Sequence, residues 1–266
     1  MTWRTAIPLA LAVLILPLMA ACRGNNIPEP DPPVGTPVLP DLTPKPQLNV
    51  TTGRVDGRWH IFFSTIIVNV GKSDFVLRAV RESGGTWTVE QGIPYSESGA
   101  RIVPTDAPLA WGGDGHDHWH VTRVATVRLV PLDDNGRPTD VKGRTDTKIG
   151  FCFYDHTHEL DRGPEEAVYS VHSCGHEGDT LIGVGLSVGW NDTYRQSLPG
   201  QSIDVTGLPD GKYRLWTDID EEGWFREATR KNNRTWIDVE LKRTPTGLFA
   251  GTLDRGPSPS PLFPRP

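Results

Sequence analysis

Gly115-His116-Asp117-His118-Trp119-His120 is the part of this 266-residue chain best suited to chemistry. Three of the chain's eight histidines alternate there with other residues. Strand side chains repeat with period two, so on an extended strand all three imidazoles point the same way. Neutral imidazole suits copper, zinc, iron and nickel. A flat strand would spread the outer two by roughly 13 Å, at about 3.3 Å per residue. That is too far for one ion, so a shared metal requires a bend. Gly112-Gly113-Asp114-Gly115, just upstream, is the kind of sequence that permits one. The same spacing also fits an adventitious or purely structural metal site, or three solvated histidines.

Two further pieces could work with these histidines: Lys148-Ile149-Gly150-Phe151-Cys152, and Gly189-Trp190-Asn191-Asp192-Thr193-Tyr194 followed by Gly200 through Thr206. With the His-x-His-x-His stretch, in this order, they resemble the catalytic domain of the lysyl oxidases. The resemblance extends upstream to Pro40-Asp41-Leu42 and Asn69 through Phe75. Downstream it takes in Gly211-Lys212-Tyr213 and Glu227 through Asn232-Asn233. It covers roughly residues 40–240.

Lysyl oxidases are copper amine oxidases whose organic cofactor is a quinone made from the enzyme's own tyrosine and lysine. The resemblance implies copper ligation by His116, His118 and His120. It implies lysine tyrosylquinone formed from Tyr194 and Lys148, and oxidation of primary amines to aldehydes with release of ammonia and hydrogen peroxide. The lysine must react as the neutral amine, and its reference pKa is about 10.4, so burial or a nearby cation has to depress it. Taken singly, Lys148 also reads as a solvated edge lysine and Tyr194 as a core tyrosine bonded to the backbone.

The family pattern is not fully kept. Where members carry acidic and histidine residues after the third histidine, this chain reads Val121 through Val127. The general base then falls to Asp155 or Asp192. Some relatives bind calcium through residues that correspond here to Asp41, the Leu42 carbonyl, Glu227, Asn232 and Asn233. Oxygen ligands suit that hard cation. Thr229 stands where a carboxylate is expected, and Asn232-Asn233 also reads as a plain turn. An inactive metal-binding surface lipoprotein of the same fold, or a wall-binding module, is the rival expectation. The substrate implied is a primary amine or peptidyl lysine.

The ends of the chain suggest export. Arg4 and the apolar run Ala6–Leu18 read as a signal peptide over residues 1–21, and Met19-Ala20-Ala21-Cys22 resembles a bacterial lipobox with Cys22 as the lipidated residue. The apolar run is short for a membrane span, which takes about 20 residues. A proline-rich tether is expected over 22–39, the catalytic domain over 40–243 and a flexible tail over 244–266. Cys152 and Cys174 then remain in an oxidising compartment, where a disulfide persists. Cysteines at similar positions are paired in the family. A second metal site with His156, His172 and His176 is the competing reading. A net charge of −6 argues against nucleic acid as a partner.

These residues must be positioned by strands. Trp59–Val68, Phe75–Leu77, Trp87–Val89, Ser202–Thr206, Lys212–Thr217 and Thr235–Leu241 are rich in β-branched and aromatic residues, with turn signals between them. The histidine strand is expected to run on through Val121, Val124, Val127 and Leu129. No segment keeps a helical period. The expectation is an all-β sandwich of the lysyl oxidase catalytic type, with long loops and little helix.

Overall fold

A computed structural model describes residues 31–112, 116–141, 143–147 and 150–258. The expected signal peptide over 1–21, Cys22 and Lys148 lie outside the described residues. The chain from Pro33 onward forms one compact unit. Its strands are β1 (Leu42–Pro44), β2 (Leu48–Val55), β3 (Arg58–Asn69), β4 (Phe75–Arg81), β5 (Trp87–Pro94), β6 (Ala100–Thr105), β7 (Leu109–Trp111), β8 (Trp119–Thr122) and β9 (Ala125–Pro131). They continue with β10 (Arg144–Thr147), β11 (Gly150–Phe151), β12 (Thr157–His158), β13 (Leu181–Leu186), β14 (Trp190–Tyr194), β15 (Ser202–Asp204), β16 (Gly211–Ile219), β17 (Arg234–Thr244) and β18 (Gly247–Arg255). Every strand pairing among the described residues is antiparallel. The helical element among the described residues is one 3-10 turn, Val171–Cys174. The all-β expectation holds.

β3 organises the molecule. One of its edges carries β1 and β2, the other β14 and β15. The remaining sheets run β10-β9-β16-β17-β18, β13-β4-β5-β6 and β11-β8-β7. Along one face of β3, Ile61 and Phe63 enter one apolar core and Ile67 enters another. The residue between them is Thr65, whose hydroxyl donates to Gln201 Oε1 at 2.8 Å. β16 repeats the pattern: Tyr213 and Leu215 in the first core, Ile219 in the second, and Thr217 between, accepting from Gln47 Nε2. A buried polar group needs a partner, and both threonine hydroxyls have one, so a polar belt crosses the sandwich, although Gln47 Oε1 and Gln201 Nε2 are buried without a hydrogen-bond partner among the described residues. Near the β16 entry, the Tyr213 hydroxyl donates to the Pro209 carbonyl at 2.8 Å, which resembles the tyrosine corner of β-sandwiches.

Three sequence expectations change. The histidine strand does not run through Val124: Arg123 adopts φ 59°, a conformation bulky residues rarely take, and the chain breaks into β8 and β9. The C-terminal tail is not wholly flexible, because β18 pairs along β17 and Ala250 is buried in the first core. The turn before it closes through Thr244 Oγ1 on the Gly247 carbonyl at 3.1 Å. The free tether expected over 22–39 does not hold from Val34 onward, since Val34 N–H donates to Ser98 O and Val38 N–H to Pro94 O. Pro-rich extended chain still presents backbone donors at its non-proline residues, and these bond to the β5–β6 connection.

Candidate metal and tyrosine site

His120 lies in β8, whereas His116 and His118 lie in the bent chain before it. The bend that a shared metal requires is therefore present. Gly112 makes it sterically possible: its N–H donates to the His118 carbonyl at 2.9 Å, and a Cβ there would sit 2.6 Å from the His116 carbonyl oxygen. One ligand nitrogen from each of the three histidines lies within 4.8 Å of the others. His118 Nε2 is 2.9 Å from His120 Nε2, and His116 Nδ1 is 3.4 Å from it. This is a convergent all-nitrogen set, the kind that suits a borderline transition metal. It is the one such cluster among the described residues. His120 is buried, and the other two are half-buried.

Trp119, between His118 and His120, packs against Trp87 and Trp111 with ring centroids 4.8 and 5.4 Å away. Its Nε1 donates to the His176 carbonyl at 2.8 Å. One residue of the histidine run is thus an anchor to the core and to the Cys174 segment.

Tyr194 ends β14 and is buried. Its ring lies 6.0 Å from that of His116, 5.8 Å from His120 and 4.6 Å from Phe151. The Cys152 N–H donates to its hydroxyl at 3.1 Å. Asp192, two residues earlier and so on the same strand face, accepts from the Phe153 N–H at 3.1 Å. The chain leaving β11 is therefore pinned to β14 by two side chains. Gly150 is required at the start of β11, because a Cβ there would collide with the Val121 carbonyl. β11 pairs with β8, Gly150 opposite Thr122 and Phe151 opposite Val121.

Cys152 and Cys174 form a disulfide with Cα atoms 5.6 Å apart. A second metal site built on those cysteines is thereby excluded. The surrounding histidines have other surroundings: His156 Nδ1 meets Thr157 Oγ1, His158 stacks on Trp190, and His172 and His176 are exposed. Asp155 is buried and accepts from Val168 N–H, Tyr169 N–H, Ser187 N–H and Ser187 Oγ at 2.7 to 3.1 Å. That arrangement is structural: it fixes the Asp155–Ser187 loop, and all four donors hold the carboxylate in place.

The residues expected to bind calcium also converge. Glu227 accepts from the Leu42 N–H at 2.7 Å and from Asn233 Nδ2 at 2.8 Å, and Asn232 Nδ2 donates to Asp41 at 2.8 Å. Burial, with Asp220 and Asp41 nearby, pushes Glu227 up to about 7. Burial also raises Asp41 and Asp220. The Oδ1 atoms of Asn232 and Asn233 are buried without a hydrogen-bond partner among the described residues. Buried carboxyls and orphaned amide oxygens in one place fit a hard cation. Asp220 and Gln91 were not legible as supports. Asp220 accepts from Trp224 and Phe225 N–H, and Gln91 exchanges two hydrogen bonds with the Arg226 backbone. Thr229 bonds to the Lys231 N–H within its own turn.

The fold and site thus define an all-β protein with a three-histidine cluster that could hold a metal ion and a buried tyrosine against it. The lysyl oxidase family model matches residues 97–248. The chain belongs to the lysyl oxidase family. Lysyl oxidase homolog 2 of Gallus gallus is similar, 30% identical over 131 residues, which cover 49% of this chain and 15% of that relative.

Proposed function

We propose that this chain is a copper-dependent amine oxidase that converts primary amines, peptidyl lysine among them, to aldehydes, ammonia and hydrogen peroxide. The observation that carries the reading is the Tyr194 ring seated within 6.0 Å of two histidine rings of the ligand cluster. His116, His118 and His120 would hold copper, and Tyr194 with Lys148 would give the quinone. Copper and the quinone, when bound, supply the two-electron oxidation of the amine by oxygen.

The chain's own residues have defined parts. Cys152 N–H and the Phe151 ring orient Tyr194, and the apolar wall of Phe151 and Phe153 excludes water behind it. Of the two acids, Asp192 is the better base: it shares the Tyr194 face, whereas Asp155 is enclosed by four donors. Asp41, the Leu42 carbonyl, Glu227, Asn232 and Asn233 would bind calcium and brace the far end of β1. The protein would work outside the cytoplasm, tethered by lipid on Cys22. Cys22→Ser should release it from membranes and end fatty-acid labelling, and unchanged membrane association without labelled lipid refutes the anchor.

Catalysis is tested by loading the full chain with copper in air. Reactivity towards phenylhydrazine and amine-dependent peroxide should appear together, and Tyr194→Phe should abolish both while copper still binds. Copper-replete wild-type protein without either signal would leave an inactive metal-binding relative.

A further inference from the structure

We infer that Lys45 and Asn191 join through an intramolecular isopeptide bond, formed by the chain itself with Glu159 as proton carrier. The two residues sit on opposite edges of β3. Lys45 follows β1 directly, and its N–H donates to the Ile66 carbonyl at 3.0 Å. Asn191 in β14 is opposite Val68, and Thr193 is opposite Ile66. The alternation of strands therefore puts Lys45, Asn191 and Thr193 on the same face.

Glu159 bridges them. Its Oε1 is 2.6 Å from Lys45 Nζ and its Oε2 accepts from Asn191 Nδ2 at 2.7 Å. The Lys45 and Glu159 side chains are 4% and 5% exposed, and Asn191 is 3% exposed. As an ordinary ion pair this is a poor investment of burial, since desolvating both charges offsets most of their attraction. As a reaction site it gathers an amine, a carboxamide and a carboxylate that contacts both. Moving the ammonium proton to Glu159 removes both buried charges and leaves a neutral amine, the nucleophilic form.

The amine nitrogen then attacks Asn191 Cγ. The Thr193 hydroxyl already donates to Asn191 Oδ1 at 3.0 Å, where negative charge develops. Glu159 returns its proton to the departing Asn191 nitrogen, which it already contacts, and takes up the second proton that Nζ sheds as it becomes an amide. The Cγ–Nδ2 bond breaks, a Cγ–Nζ amide forms, and ammonia leaves. Nothing is oxidised or reduced, and no co-reactant is needed. The product would tie β1 to β14, the strand that ends in Tyr194, across β3. The proposal does not rest on the oxidase reading.

The test uses the full chain expressed without copper, so that no quinone crosslink can form. After disulfide reduction and tryptic digestion, the Lys45 and Asn191 peptides should run as one branched species, about 17 Da lighter than their sum. Conversion should be near complete in the wild type. Glu159→Gln should leave the peptides separate, and Thr193→Val should slow joining in freshly folded protein. Separate, unmodified peptides from the folded wild type overturn the proposal. A branched peptide that persists in Glu159→Gln overturns the role given to that carboxylate.

Discussion

The two cores of the sandwich are built differently. Around Ile61, Phe63, Leu129, Leu215 and Val239, long strands alternate inward apolar and outward polar residues, and side-chain packing does most of the positioning. Around Phe75, Phe151, Cys152 and Tyr194, β7, β8, β11 and β12 are two to four residues long. There, position comes from a disulfide and from side chains bonded to backbone: Tyr194 to Cys152, Asp192 to Phe153, Trp119 to His176, Asp155 to the Tyr169 and Ser187 segments. β3 runs through both cores and joins the regular half to the irregular one. The lesson is that the half carrying the histidine cluster and Tyr194 is specified by individual polar and covalent links, whose loss should be local, while the other half is specified by pattern, whose loss should be global.

The contrast is sharpest for packing. Phe63→Ala should cost about 3–5 kcal/mol, as large-to-small changes in a closed core do, and lower the denaturant midpoint while the folded fraction keeps its copper stoichiometry. A variant that loses copper in proportion to Phe63 volume would mean the halves are not separable.

Removing the bridge with Cys152→Ala and Cys174→Ala should cost roughly 2–4 kcal/mol. In contrast to Phe63→Ala, it should raise hydrogen exchange mainly over β11 and the Val171–Cys174 turn. Uniformly raised exchange across β16 and β17 would break the comparison.

The smallest effect concerns the cluster at the end of β1. Glu227 stands at about 7 in the folded chain, above its ordinary value, so the folded state binds the extra proton. Its contribution is fully present below the unfolded pKa of about 4.5 and is lost as pH rises through about 7, to an extent of order 1–3 kcal/mol. Calcium-free protein should therefore melt lower at pH 8 than at pH 5, and added calcium should restore more at pH 8. Equal calcium shifts at both values would exclude Glu227 as a ligand.

How legible all this was depends on the same division. Trp59–Val68, Lys212–Thr217 and Thr235–Leu241 fall within β3, β16 and β17, because period two in a half-buried strand leaves a clear trace. β18 left little: Phe249 and Leu253 are exposed and Ala250 is its buried residue, so an edge strand looked like tail. The break after β8 rests on Arg123 at positive φ, a residue type that carries no turn signal. The histidines and Tyr194 were marked by spacing and family resemblance, and the structure brings them together. Asp155 looked like a base because its position resembled one, and only its four donors reveal otherwise. Gln91 and Asp220, which hold the Trp224–Glu227 segment, act through backbone contacts that no local motif announces.

The central claim is that the histidine cluster and Tyr194 form one oxidative centre with Lys148. Peptide mass spectrometry of the full chain after copper loading in air tests it most directly. The account predicts one crosslinked species containing Lys148 and Tyr194, absent from copper-free protein and from Tyr194→Phe. Copper bound at one per chain, with the Lys148 and Tyr194 peptides separate and unmodified, would contradict it.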